Sequence, residues 1–239
     1  MAIIVGHRGV AGHAPENTLA GLRKALEMGL THVEIDVRIS RDRVPIVFHD
    51  AGVAKLTHGN DLVRELTVAE IKALSVPAGR EVPTLAEALA VAKDLSLLID
   101  LKSDLALEPA LEILRQHTMP RSVLLASFNP GPLSAAKKIM PGISTCLLFR
   151  HPMGFLFRRF ERRLWTEIEQ CGCDYIGPRA NVVRRELVDR AHALGHKVYA
   201  YHVNSRRRGL RLIGMGVDAL GTDHPKLFGI GSWVEHVTP

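Results

Sequence analysis

Eight short apolar runs, separated by stretches with helical spacing, organise this 239-residue chain and constrain its fold more than any other feature. The runs are IIVGH (3–7), HVEIDV (32–37), LSLLIDL (95–101), SVLLASF (122–128), ISTCLLF (143–149), DYIGP (174–178), KVYAYHV (197–203) and DALGT (218–222). Helical patterns fall near 17–28, 67–74, 84–93, 107–117, 131–139, 156–170, 183–194 and 206–215. Alternation of this kind calls for parallel strands, since a parallel connection needs a crossover that a helix supplies. Eight strands, each followed by helix, predict a (β/α)8 TIM barrel, with 1–239 as one domain. A doubly wound open sheet competes, but it usually places fewer strands in this length.

One segment breaks the alternation. VPIVF (44–48) follows the second strand after too few residues for a crossover. It must return as an antiparallel hairpin strand, with its turn near Arg41, Asp42 and Arg43. That register brings His49 back opposite residue 35, beside Glu34 and Asp36.

Polar residues inside the apolar runs carry the functional information. Glu34 and Asp36 lie two apart on one strand and share a face, as do Asp100 and Lys102 on the next. His7 and Arg8 end the first strand, and Ser127, Tyr201, Asn204, Thr222 and Asp223 fall at or just past other strand ends. In a barrel these ends converge on the catalytic face. Glu34, Asp36 and Asp100 then form an oxygen-rich site for one divalent ion, Mg²⁺ or Ca²⁺, with Mn²⁺ also admitted. The alternative is that they neutralise Arg8 and Lys102 in buried ion pairs. His7 and His49 flank the site as an acid–base pair, while Arg8 and Lys102 hold phosphate oxygens.

Bulk properties narrow the class. A net charge of +6 and a pI near 9.5 fit an anionic partner: nucleic acid, an anionic membrane or a small anionic substrate. No uninterrupted apolar run reaches about 18 residues, and MAIIVGHRG lacks the pattern of a secretion signal. Cys146, Cys171 and Cys173 are odd in number and CGCD lacks a second pair for zinc, so reduced thiols in a cytoplasmic protein are expected.

HRG (7–9), PENT (15–18), EIDV (34–37) and FHD (48–50) resemble the signature of the glycerophosphodiester phosphodiesterases. The resemblance continues through VPTLAEAL (82–89), LLIDLK (97–102), ASF (126–128) and GVDALGTDHP (216–225). It implies a TIM barrel, a divalent metal held by Glu34 and Asp36, and His7 and His49 as the acid–base pair. It also implies phosphate contacts from Arg8 and Lys102. Glu16 and Asn17 match the loop that braces the active site, with Asn17 also a candidate cap for the first helix. Two departures stand out. Asp100 in IDLK replaces the family's usual Glu, and YHVN (201–204) replaces WTVN, leaving Tyr201 as the aromatic wall on the substrate's alcohol side. His202 and His224 receive no role.

The segment 147–165 holds four of the seven phenylalanines and five arginines. Leu156, Phe157, Phe160 and Leu164 share a helical face, so an ordinary barrel helix is the plain reading. The sharper reading is a lipid-facing lid with Phe and Trp at a membrane surface, giving a peripheral protein. No nucleic-acid-binding motif accompanies the arginines, so nucleic acid is not an expected partner.

The expected activity is metal-dependent hydrolysis of a small glycerophosphodiester, such as glycerophosphocholine or glycerophosphoethanolamine, to glycerol 3-phosphate and an alcohol. A lysophospholipase D working at a membrane and a catalytically weak binder of phosphodiester headgroups are the alternatives.

Overall fold

The computed structural model describes residues 2–54, 61–74, 80–117, 120–150 and 157–229, with the side chains of 157–160 outside that description. Its strands are β1 (Ile3–Gly6), β2 (His32–Ile39), β3 (Pro45–Val47), β4 (Ser96–Leu101), β5 (Ser122–Ser127), β6 (Ser144–Phe149), β7 (Tyr175–Pro178), β8 (Lys197–Ala200) and β9 (Ala219–Thr222). All except β3 pair in parallel in the order β1-β9-β8-β7-β6-β5-β4-β2, and a β1–β2 pairing closes the ring. The predicted eight-stranded barrel is therefore the observed one.

Helices α1 (Leu19–Glu27), α2 (Val68–Lys72), α3 (Leu85–Val91), α4 (Leu107–Gln116), α5 (Pro130–Ile139), α6 (Phe157–Cys171), α7 (Arg185–Ala193) and α8 (Arg206–Gly214) lie between the strands. The expectation of a helix after every strand needs one correction. Among the described residues β9 is followed only by a 3₁₀ turn, Pro225–Phe228, in which Pro225 limits the start and Gly229, at φ 70°, ends it.

Side-chain alternation sorts each strand between two cores. Val33, Ile35 and Val37 of β2 pack with Leu97, Ile99 and Leu101 of β4 and with Leu22, Leu89 and Leu111 of the helices. The intervening positions point into the barrel, where Val5, Leu98, Ala126, Cys146, Leu148 and Tyr199 form the inner core. Burying each outward aliphatic side chain contributes roughly 1.5–3 kcal/mol. That apolar row fixes the register and keeps Glu34 and Asp36 inside, because a one-residue slip would send both into the helix layer.

The extra strand β3 runs antiparallel to β2, with Val37 opposite Val47 and Ile39 opposite Pro45. The pairing ends at Val47, so His49 lies two residues past the strand. Successive carbonyls of β2 face opposite edges: Asp36 O accepts from Phe48 N, and Val37 O accepts from Lys102 N. So β3 lies on the edge that β4 leaves, sharing it with β1, which pairs only at His32 and Val33. The turn is closed by Ser40, whose Oγ accepts from Val44 N at 2.9 Å, and Arg43 takes a left-handed φ of 61°.

Two local expectations change. The cap of α1 is Thr18, whose hydroxyl accepts from Gly21 N, and Asn17 is instead turned toward the barrel, where Asp36 takes both ends of its amide. Trp165 does not face a membrane. It is 2% exposed and packs with Leu164 and Ile168 in the core beneath α6 and α7, with Arg190 over its ring. Residues 151–156 and the side chains of Phe157 and Phe160 lie outside the described residues, so the rest of the lipid-facing reading of 147–165 falls there. Among the described residues no helix is long and apolar enough to cross a membrane.

Candidate active site

Strand register brings the three carboxylates together. Asp36 pairs directly with Asp100 across β2 and β4, and Glu34 precedes Asp36 by two on the same inner face. One oxygen from each of Glu34, Asp36 and Asp100 lies within 4.8 Å of the others, and all three residues are buried. Burial raises the Glu34 carboxyl well above the usual range, with Asp36 and Asp100 adding to the effect. Burial also lifts Asp100 to about 6 against the pull of Lys102, and Asp36 adds to the rise. Asp36 goes the other way: burial opposes its charge, but Lys102, Arg8, His49 and the Asn17 amide outweigh it and hold the carboxyl below its ordinary value.

These partners are specific. Asn17 donates its amide to Asp36 Oδ2 at 2.8 Å, and its own carbonyl accepts from Asp36 N at 3.0 Å. Asn17 adopts φ 56°, a left-handed conformation that Asn tolerates better than most residues. Lys102 Nζ lies 2.9 Å from Asp36 Oδ1 and also donates to Asp100. Arg8 donates from its backbone to Glu34 at 2.7 Å and from Nη1 to Glu16 at 2.8 Å, with Nε 3.2 Å from Asp36. The three acids cluster, and Asp36 and Asp100 are also paired with Arg8 and Lys102.

Each imidazole flanking the cluster is held by an aspartate. His7, just past β1, contacts Asp223 Oδ1 through Nδ1 at 2.6 Å, leaving Nε2 3.9 Å from Glu34. His49 contacts Asp50 Oδ1 through Nδ1, also at 2.6 Å. Burial lowers the His49 imidazole below its ordinary value against the pull of Asp36 and Asp50. Burial likewise works against the Asp223 charge, yet His7 and Asn204 hold that carboxyl at about 2. Arg38 of β2 bridges the hairpin, its Nε donating to His49 O at 2.7 Å.

The cavity over the cluster is lined by both histidines, Arg8, Lys102, Phe128, Arg150, Tyr201 and His202, among others. Tyr201 is on its wall, with its hydroxyl donating to Phe149 O at 3.3 Å. Glu16 lies at the edge, on Arg8. Asp223, Asp50, Arg38, Arg150 and His202 received no role from sequence. Their positions at strand ends were the available signal for Asp223 and Arg150, and the FHD run for Asp50. His202 was obscured by alternation: β8 ends at Ala200, so the strand rule no longer separates residue 202 from 201. Its ring centroid lies 4.0 Å from that of His7, and burial followed by His7 pulls its pKa down to about 4.

Residues 7–227 match the family described as the glycerophosphoryl diester phosphodiesterase family. The chain belongs to this family. A glycerophosphodiester phosphodiesterase of Caldanaerobacter subterraneus is 29% identical over 238 residues, covering 94% of this chain and 95% of that protein. Among solved structures, an Oleispira antarctica phosphodiesterase in complex with the product sn-glycerol-3-phosphate is 30% identical, with a TM-score of 0.85 and 96% of each chain covered. The glycerophosphodiester phosphodiesterase of Thermotoga maritima is 25% identical with a TM-score of 0.80, covering 95% of this chain and 97% of its own. The chain is thus a phosphodiesterase of the glycerophosphodiester type, built on the family's barrel.

The donor set of this phosphodiesterase suits a divalent ion. Three carboxylates supply hard oxygen donors with no sulfur or imidazole among them. Asp100 Oδ1 is buried and has no hydrogen-bond partner among the described residues, an orphaned acceptor on one of the three carboxylates.

Proposed function

We propose that the chain hydrolyses small glycerophosphodiesters, such as glycerophosphocholine or glycerophosphoethanolamine, to sn-glycerol 3-phosphate and an alcohol. The observation that carries this reading is the pair of aspartate-held imidazoles, His7 and His49, set around the buried cluster of Glu34, Asp36 and Asp100. In each ring Nδ1 is committed to a carboxylate, so Nε2 is the nitrogen free to exchange a proton with substrate. One imidazole accepts the proton of the attacking hydroxyl; the other gives a proton to the departing oxygen. Binding of a product by the Oleispira antarctica relative supports the substrate class.

Glu34, Asp36 and Asp100 hold one divalent ion in this reading, Mg²⁺ or Ca²⁺ with Mn²⁺ a further candidate. When bound, it supplies Lewis-acid polarisation of the phosphoryl group. Arg8 and Lys102 offer the phosphate the donors that their carboxylate partners leave over. Asn17 and Glu16 position Asp36 and Arg8, and Tyr201 walls the alcohol side.

The test is release of sn-glycerol 3-phosphate from glycerophosphocholine in EDTA and after restoring Mg²⁺, Ca²⁺ or Mn²⁺ singly. Release that returns with metal is the expected outcome. Failure with every metal and with glycerophosphoethanolamine would overturn the reading.

A further inference from the structure

The charges lining the cavity are not evenly matched. Arg8 has Glu16 at 2.8 Å and Asp36 at 3.2 Å. Lys102 has Asp36 at 2.9 Å and is bonded to Asp100. Arg150, the third strong cation on the wall, has no carboxylate within 4.0 Å among the described residues. What holds it is uncharged. Its guanidinium carbon lies 5.2 Å from the centroid of the Phe128 ring. Tyr201, on the same wall, stands edge-on to Phe128 with ring centroids 6.2 Å apart, and its hydroxyl donates to Phe149 O. Lys102 Nζ sits 5.5 Å from the same Phe128 ring, placing the two cations around one aromatic side chain at the cavity wall.

Uncompensated charge held against an aromatic ring is a preorganised anion receptor. A planar guanidinium fork also matches phosphate oxygens in a way that an ammonium does not. We propose that Arg150 is the main anion-recognition residue of this site, binding a non-bridging phosphoryl oxygen of the diester and then the phosphate monoester product. The inference rests on the phosphodiesterase reading for its substrate, and it assigns the larger share of charge recognition to Arg150 because Arg8 and Lys102 already have carboxylate partners. Phe128 is the positioning residue in this scheme: it holds the guanidinium, and Tyr201 stands edge-on to its ring.

The experiment compares the parent with Arg150→Gln and Arg150→Lys. Calorimetry measures affinity for sn-glycerol 3-phosphate and for inorganic phosphate, with and without Mg²⁺, and steady-state kinetics uses glycerophosphocholine. Loss of a charge-assisted contact predicts roughly 10- to 100-fold weaker phosphate-ester binding in Arg150→Gln. The KM should rise about tenfold while kcat stays within about threefold, and Arg150→Lys should recover part of the affinity, by retained charge without the fork. Thermal midpoints should not move, because the side chain is exposed. Phosphate-ester affinity within twofold of the parent in Arg150→Gln would overturn the proposal, even if KM had changed. A parent that binds sn-glycerol 3-phosphate but cleaves no diester would refute the phosphodiesterase reading instead, and the binding comparison would still decide Arg150.

Discussion

Asp223 Oδ1 lies 2.6 Å from His7 Nδ1, although the two residues stand 216 apart in the chain. Barrel closure brings them together: β9 pairs in parallel with β1, Gly6 beside Thr222, so the residue after each strand meets the other. Asn204 then fixes the aspartate from the far side by donating to Oδ2 while its own carbonyl accepts from Asp223 N at 2.9 Å. The imidazole orientation therefore depends on the last strand of the ring.

Asp223→Asn tests that dependence. An amide in this place no longer selects the tautomer that exposes the Nε2 lone pair, so kcat should fall by about two to four orders of magnitude. KM should change little, because the residue acts through His7. A kcat within threefold of the parent would remove Asp223 from the mechanism.

The same carboxyl sets a stability window. Its folded value of about 2 lies below the ordinary aspartate value of about 3.9, so its contribution is present above the ordinary value. That contribution is lost as pH falls from about 4 through about 2. Asp223→Asn should therefore narrow its stability difference from the parent across that interval, measured by urea titrations at successive pH values. A constant difference would show that the pair carries no such linkage.

His7→Ala and His49→Ala should each cut turnover by about two to four orders of magnitude with the fold retained. Circular dichroism and the thermal midpoint report the fold, and product release reports turnover. Near-parental turnover in either variant would sink its assignment as acid or base.

Asp100 gives the opposite pH sign. Its folded value of about 6 is above the ordinary value, so in metal-free protein its favourable state lies at low pH and is lost as pH rises through about 6. Metal binding needs the charged form, so the thermal upshift produced by Mg²⁺ or Ca²⁺ should be larger at pH 8 than at pH 5. Asp100→Asn should raise the midpoint of metal-free protein at pH 8 and shrink the metal-induced upshift. An upshift independent of both pH and substitution would take Asp100 out of the ligand set.

Asn17 separates bonding from backbone strain. Asn17→Ala loses two buried hydrogen bonds on Asp36 and keeps a left-handed φ of 56° with a Cβ, costing about 2–4 kcal/mol in total. Asn17→Gly relieves the strain but not the lost bonds, so its deficit should be smaller by about 1 kcal/mol. Equal deficits in chemical denaturation would mean that the backbone conformation contributes nothing.

The barrel and the carboxylate cluster were legible in the sequence because both follow from a period of two. Apolar Val33, Ile35 and Val37 declare which face of β2 meets the helices, and Glu34 and Asp36 follow by alternation. The hairpin was legible as well, with Val47 set against Val37, but His49 lies past the end of β3, where alternation no longer sets its direction. What alternation does not reach is the chain beyond a strand end. Asn17, Asp50, Arg150 and His202 sit in such stretches, where side-chain direction depends on local φ and on partners distant in sequence. Only the lipid-facing reading of 147–165 put Trp165 outward, and a helix with arginines on several faces does not announce which aromatic turns inward.

The hairpin of β2 and β3 divides the chain into lengths that tolerate change and one that does not. Between Ser40 and Val44 the residue count fixes the pairing of Val37 with Val47, and so the level at which the chain leaves β3 toward His49. A single codon inserted there should silence the enzyme while sparing much of the barrel's pairing, which a turnover assay and a circular dichroism spectrum would read separately. The excursion from Val53 to Val82 has only to leave β3 and come back to α3, so length variation among related chains should collect there and be absent from the five-residue turn.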